Sequence, residues 1–343
     1  MSYAINENDD ELYGRIMKGA GEKTRLAGDA STRIYYRVNA ENKNFILCHD
    51  HLFSEYPGTE YPFLTTQRLL DEAGIPVPAI LACDKTKGLL VLQDLGDDLL
   101  EYHIRDKNIS TVIPIYRLCI DLLVGLQGIR GNGETPFTLA FDRAKLMYEF
   151  NFFIENTLEC YFRCGLSPEM KAGLTAAFED IAALLDRPEH FVLNHRDFHA
   201  RNIMVHRGGL YLIDFQDARL GLPQYDLVSL LCDPYVRIPG HAAAVLKEYY
   251  FSRAVEKGIT AMGREEFDYF YDLMAFQRLV KAAGSYGYLT AVKKKYEFER
   301  YIVPALESAG MIALRRPALL PSWRIIAGLT GLEAMDPGEG VRA

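Results

Sequence analysis

The stretch 191–217, FVLNHRDFHARNIMVHRGGLYLIDFQD, constrains this chain more than any other. It sets His195, Arg196, Asp197, His199, Arg201 and Asn202 close together, then runs through two apolar segments to Asp214. The turn HRGG (206–209) divides NIMV from LYLIDF, a strand–turn–strand pattern. A hairpin folds its two ends together, so Asn202 and Asp214 are expected side by side, with Asp197 one loop away. Such a density of ionisable groups marks either a metal site or a phosphate-handling site.

The segments before it read as mixed α/β. STRIYYRV (31–38) and KNFILCHD (43–50) are rich in β-branched and aromatic residues and form a hairpin across NAEN. YPFLTTQRLLDEAGIPVP (61–78) predicts a helix stopped by Gly74 and two prolines, and AILACDKTKGLLVLQDL (79–95) a second hairpin turning at 84–88. After GDD (96–98), apolar residues at helical spacing dominate 112–129, 142–164, 168–186, 240–257, 265–284 and 296–309. Ser167-Pro168 is a capped helix start. FDYFYDLMAF (267–276) is expected in the core. The expected fold class is α+β and bilobal: a sheet-bearing N-lobe over residues 1–95, a hinge at 93–98, and a helical C-lobe over 96–343.

Composition removes several partners. With 343 residues and a formal net charge of −8, general affinity for nucleic acid or anionic membrane is disfavoured, though a local positive pocket is not. The acidic N-terminus lacks the pattern of a secretory signal, and no apolar run is expected to approach the roughly 18–20 residues of a membrane span. Six scattered cysteines without a C-x-x-C pair read as reduced residues of a cytoplasmic protein.

Three chemistries compete. His195 and His199 have the spacing of a zinc helix, but Arg196 stands where the Glu of H-E-x-x-H would be, and the stretch lies between strands. GRIMKGAG (14–21) has two glycines at phosphate-loop spacing, yet Ala20 replaces the Lys; no dinucleotide fingerprint follows a strand. Phosphoryl transfer fits better. It needs a carboxylate to orient the attacking hydroxyl and oxygen ligands that hold Mg2+ against nucleotide phosphates, and Asp197, Asn202 and Asp214 supply both.

HRDFHARN followed by LIDF resembles the catalytic loop and metal strand of the protein-kinase-like fold, and more closely the aminoglycoside phosphotransferase and choline kinase superfamily. GDASTRIYYRV (28–38), GLLVLQDLGDDLL (88–100), NHRDFHARNIM (194–204), LIDFQDARLGLPQYDLVSLL (212–231) and QRLVKAAGSYGYL (277–289) are similar to the anomeric N-acetylmuramate/N-acetylglucosamine kinases of that group. The resemblance spans about residues 26 to 308. It implies ATP and Mg2+ as cofactors, Asp197 as catalytic base, Asn202 and Asp214 as metal ligands, and His195 as a hydrogen-bonding brace. It also implies that the backbone of Gln93, Asp94 and Leu95 holds the adenine edge. The turn from Gly28 to Arg33 would cover the phosphates, with Ser31, Thr32 and Arg33 supplying donors. The Lys expected on the third strand falls near Cys48 and is missing; Arg33 is the candidate replacement.

A small acceptor is expected rather than a protein. Gln216 replaces the Gly of D-F-G, and the helix-like YDLVSLL begins about ten residues later, leaving little chain for a peptide platform. Glu149, Asn151 and Glu155 are candidates for sugar hydroxyls, although a core-edge or solvated helix face is the plainer reading of each. Asp226 reads as a cap or brace, Asp217 equally as brace or second-metal ligand, and His199 and Arg201 as facing either substrate or solvent. His49, His51 and His206 read as surface. Arg278 and Lys281 share a helix face that could steer an anionic sugar but reads more simply as solvated. The leading expectation is an ATP/Mg-dependent kinase for the anomeric hydroxyl of an amino sugar. Its rivals are an aminoglycoside, amino-alcohol or amino-acid kinase and, in another class, a nucleotide-binding pseudokinase.

Overall fold

The structure, a computed structural model, describes residues 14, 23–26, 33–40, 43–56, 61–131, 133 and 135–332. These divide into two compact units.

The first unit holds the described residues up to Asp106, with Gly133–Pro136 and Arg201–Ala218. Its antiparallel sheet has the order β1-β2-β3-β5-β4, with β1 Lys23–Arg25, β2 Ile34–Ala40, β3 Lys43–His49, β4 Ile80–Asp84 and β5 Leu89–Gln93. Alternate positions Val38, Ala40, Leu47, Ala82 and Val91 make its core. The β4–β5 turn falls where expected: Asp84 Oδ1 accepts from the Thr86 hydroxyl and the Lys87 N–H, and Gly88 takes φ +63°. A Cβ at Gly88 would stand 2.5 Å from the Asp50 carbonyl oxygen, so glycine is required there. Three helices follow the strands in turn: α1 His51–Glu55, capped by Asp50; α2 Pro62–Glu72, burying Phe63, Gln67 and Leu70; and α3 Leu100–Ile104.

The predicted hairpin is also in this unit. The second unit contributes β6 Val192–Asn194 just upstream; β7 Ile203–His206 and β8 Gly209–Leu212 then pair antiparallel around Arg207 and Gly208, both at positive φ as a tight two-residue turn demands. The strand ends earlier than expected. It stops at Leu212 because Asp214 takes φ +63°, outside any strand conformation. Asp214 therefore stands just beyond the strand.

The second unit covers Lys107–Asn132, Phe137–Ala200 and the residues from Arg219 onward. Besides the β6 pairing with β9 Arg219–Gly221, it is helical: α4 Ile109–Gln127, α5 Arg143–Phe153, α6 Pro168–Leu185, α7 Gln224–Leu231, α8 Gly240–Glu256, α9 Arg264–Gly287, α10 Ile302–Ala313 and α11 Leu320–Thr330. Ser167 caps α6 by accepting from the Met170 N–H, with Pro168 in the first turn, as expected. The residues 267, 270, 271 and 273–276 of α9 are buried, as the aromatic pattern predicts.

Three expectations are corrected. The single helix over 142–164 is α-helical only to Phe153 and widens into a π-helix over Ile154–Tyr161. The one over 296–309 opens as a 3-10 segment, Tyr296–Tyr301. One helix, α4, does reach the length and apolarity of a membrane span, contrary to the sequence reading. It carries Asp121, which accepts from the Tyr249 hydroxyl and from Arg253 Nε, and it packs along α8.

Candidate active site

The polar loop 195–200 is shaped by two carboxylates of its own unit. Arg196 takes φ +85°, a costly conformation for a side-chain-bearing residue, so the loop needs fixed anchors. Asp226, in the first turn of α7 and fully buried, accepts from the backbone N–H of His195 and, at 3.0 Å, from that of Arg196. Asp233 accepts from the Ala200 N–H at 2.8 Å and from the Tyr235 N–H at 2.8 Å. The bracing reading of Asp226 is therefore the one realised; Asp233 was missed, being separated in sequence from the loop it holds. His195 is buried beneath the loop, 1% exposed.

Asp197 keeps 24% of its side chain exposed and lies within a ring of cations. Lys281 Nζ donates to its Oδ1 at 3.0 Å, Arg278 Nη1 lies 3.6 Å from the same oxygen, and Arg196 Nε lies 3.9 Å from Oδ2. Burial pushes the Asp197 carboxyl upward, but Lys281, Arg196 and Arg278 outweigh it and hold the group well below the usual carboxylate range. Burial drives His199 down to about 3, against the pull of Asp197, so its imidazole is neutral. Its ring lies edge-on to Tyr235 at 5.5 Å.

Here the solvated-face reading of Arg278 and Lys281 fails. Their side chains are 10% and 17% exposed. Arg278 also donates to the Tyr225 hydroxyl at 2.8 Å and lies over that ring. The missed signal was the setting: two cations one turn apart inside a helix otherwise reading as core require a buried acid. Of the acceptor candidates, Glu149 is 4% exposed, accepts from Gln277 Nε2 at 2.9 Å and lies 3.5 Å from Lys145 Nζ. Asn151 and Glu155, by contrast, are exposed.

In the first unit, Asn202 and Asp214 come together as the hairpin requires, the Ile213 N–H donating to the Asn202 carbonyl at 3.0 Å. Asp214 keeps 44% of its side chain exposed and accepts from Gln216 Nε2 at 3.0 Å; the same nitrogen reaches Asp217 Oδ2 at 3.2 Å. An amide oxygen and a carboxylate are the hard donors that Mg2+ takes, with waters and substrate phosphates completing its shell. Among the described residues there is no cluster of three or more His, Cys, Asp or Glu that could hold a metal ion.

Arg33 lies at the mouth of this pair. Its Nε donates to Asp50 Oδ2 at 2.9 Å and its Nη1 is 3.7 Å from Asp214 Oδ1. Asp50, 1% exposed, also accepts from the Tyr61 hydroxyl. An acid at the end of β3 thus aims a cation from the start of β2. Sequence reasoning named Arg33 but missed Asp50, whose partner stands 17 residues away. Ser31 and Thr32 lie outside the described residues. The 93–95 segment is fixed by Arg37, which holds Asp94 through both carboxylate oxygens at 2.7 and 3.0 Å. The Gln93 N–H already donates to the Ala79 carbonyl, and the Leu95 carbonyl takes His206 Nδ1 at 2.8 Å. His206 is thus a structural contact, not the free surface residue expected. Arg201 is likewise tied to Glu101, at 2.8 Å.

The model of the phosphotransferase enzyme family matches residues 23–260, which include every one of these groups except Gln277, Arg278 and Lys281. The chain belongs to this family. It is 29% identical to an N-acetylmuramate/N-acetylglucosamine kinase of Neisseria meningitidis, over 92% of each chain. A second kinase of that name, from Pseudomonas aeruginosa, is 29% identical over 90% of this chain and 89% of its own. Among solved structures, an ethanolamine kinase of Plasmodium vivax aligns with a TM-score of 0.62 at 14% identity, covering 91% of this chain and 88% of its own. An ADP-bound aminoglycoside phosphotransferase aligns at 0.59 and 15%, covering 90% and 99%. The fold is therefore protein-kinase-like, and this phosphotransferase acts on an alcohol acceptor.

Proposed function

We propose that this phosphotransferase is an ATP- and Mg2+-dependent kinase that phosphorylates the anomeric hydroxyl of an amino sugar of the N-acetylmuramate/N-acetylglucosamine type. Asp197 orients the sugar hydroxyl and takes its proton as the bond to phosphorus forms. Asn202 and Asp214 hold Mg2+, which when bound neutralises phosphate charge. Arg33, aimed by Asp50, replaces the missing strand Lys as a phosphate contact, and the 93–95 backbone receives the adenine edge. Ser31 and Thr32 complete the phosphate cover. Glu149 and Glu155 remain the proposed acceptor contacts, with buried Glu149 the better supported.

The observation that carries the acceptor class is the charge around Asp197. The ion pairs of Asp197 and Glu149 bring four cations, Lys145, Arg196, Arg278 and Lys281, to two carboxylates, and burial pushes the nearby Asp226 carboxyl up to about 7, so positive charge predominates among these pairs. A cationic aminoglycoside or choline would be repelled there. A neutral or carboxylate-bearing sugar would not, and the names of the relatives agree. The test is a panel of N-acetylmuramate, N-acetylglucosamine, choline and an aminoglycoside with ATP-Mg2+, following ADP release. Turnover is expected on the sugars alone, with a phosphorus signal coupled to the anomeric proton. Asp197→Ala should keep nucleotide affinity within about threefold and lower kcat by about 10³-fold or more. Wild-type turnover by that variant would refute the role of Asp197.

A further inference from the structure

Lys281 is more than Asp197 needs for satisfaction. Its neighbours on α9, Phe276, Leu279, Val280 and Ala283, are buried, so an ammonium here carries a desolvation cost. The same helix holds the buried Glu149 with a neutral amide, Gln277 at 2.9 Å, beside a single cation, Lys145 at 3.5 Å. Asp197 already has Arg278 at 3.6 Å and Arg196 at 3.9 Å, so a neutral donor would equally have satisfied it. A cation at 3.0 Å also makes Asp197 a weaker base, the wrong direction for a group whose sole task is proton removal. Arg278 is committed to Tyr225, by hydrogen bond and over its ring. The Lys281 ammonium has three N–H donors, and Asp197 takes one.

We propose that Lys281 is a catalytic residue that, anchored on Asp197 Oδ1, bonds the phosphoryl group as it passes to the acceptor oxygen. This rests on the reading of Asp197 as the base. In the step, the acceptor oxygen forms its bond to the γ-phosphorus and the bond from that phosphorus to the β,γ-bridging oxygen breaks, its electron pair leaving on ADP. The acceptor proton passes to Asp197 Oδ2. The transferring group is loosely bound to both oxygens at its midpoint, and its charge lies on three equatorial oxygens. A positioned cation stabilises that arrangement more than it stabilises bound ATP or sugar. Because proton loss is late in such a step, a weak base suffices, and the lowered basicity of Asp197 ceases to be a paradox.

The test is Lys281→Gln, which keeps a donor for Asp197 and removes the charge, with Lys281→Arg as the charge-keeping control. N-acetylglucosamine and ATP-Mg2+ are the probes, with kcat and both KM values measured from pH 6 to 9. The expected result is a loss of about 100-fold in kcat for Lys281→Gln, with both KM values within about threefold. Burial holds Lys281 below the usual lysine range, so the loss should stay constant with pH except where wild-type kcat itself falls, and Lys281→Arg should recover at least about tenfold of it. Wild-type kcat in Lys281→Gln, a loss confined to either KM, or a loss that disappears because the variant gains rate as pH rises would each overturn the proposal. Recovery with pH would mean that Lys281 serves only to keep Asp197 ionised among Arg196, Arg278, His199 and Glu149. If Lys281→Gln does not fold, Lys281→Arg decides: wild-type KM values with reduced but measurable kcat support the role, and full kcat at tenfold weaker sugar KM opposes it. Asp197→Asn is run in parallel. Its retained activity would sink the base reading itself, whereas an inactive Asp197→Asn beside an intact Lys281→Gln sinks only this inference.

Discussion

At the residue scale, the site is a set of ionisable groups whose charges are decided by their neighbours. His199 is the sharpest case, because burial takes it from 6.5 to about 3 while Asp197 pulls the other way and Arg278, Lys281 and His195 add to the fall. The unfolded chain therefore binds a proton near pH 6.5 that the folded chain refuses. Stability at this position is fully present above that value and is lost as pH falls through 6.5 toward 3. The His199 contribution lowers the melting temperature between pH 7 and pH 5, opposed by Asp226, whose buried carboxyl is pushed up to about 7 and gains stability on taking a proton, so His199→Asn should raise the melting temperature at pH 5 relative to that at pH 7. An unchanged pH slope in the variant would show that His199 takes up its proton in the folded protein as readily as in the unfolded chain. The sequence supplied the positions of His195, Asp197, His199, Asn202 and Asp214 but not these charge states. The groups that set them, Arg278 and Lys281, lie about 80 residues downstream of Asp197 and no local pattern links them to it.

At the element scale, the long helix α9 lies against the widened π-helix that follows α5, and two glycines make the approach. A Cβ on Gly284 would stand 3.0 Å from the Phe153 Cα; one on Gly287 would stand 2.2 Å from Thr157 Oγ1 and 2.9 Å from the Asn156 carbonyl oxygen. The Thr157 hydroxyl also donates to the Ala283 carbonyl, at 2.8 Å, closing the seam. Gly287→Ala must then push backbone against backbone, and a cost of about 1–3 kcal/mol is expected, read as a lower denaturation midpoint at unchanged m-value. Since α9 carries Arg278 and Lys281, the same variant should lower kcat before it lowers nucleotide affinity. Hydrophobic period marked both helices correctly in sequence, because each buries one apolar face. It could not mark the change from α to π at Ile154. Nor could it mark the end of β8 at Leu212, since the positive φ of Asp214 is imposed by its surroundings and no glycine or asparagine announces it.

At the scale of the whole molecule, the charge balance opposes the local one. The chain carries a net −8, yet the groups around Asp197 sum to positive. These two fields act at different ranges. Surface charges reach an approaching anion through water and fade beyond the Debye length, about 10 Å at 0.1 M salt, whereas half-buried cations act at contact and are screened little. For a carboxylate-bearing sugar, low salt therefore leaves the long-range repulsion in force, and added salt removes it while sparing the contact attraction. A neutral amino sugar experiences neither. The ratio of kcat/KM for N-acetylmuramate to that for N-acetylglucosamine, at saturating ATP-Mg2+, is expected to rise by about two- to fivefold between 10 and 200 mM salt. Taking the ratio cancels any effect of salt on the nucleotide. A falling ratio would mean that the cations around Asp197 draw the sugar through open solvent, and that the net charge of the chain has no part in selecting its acceptor.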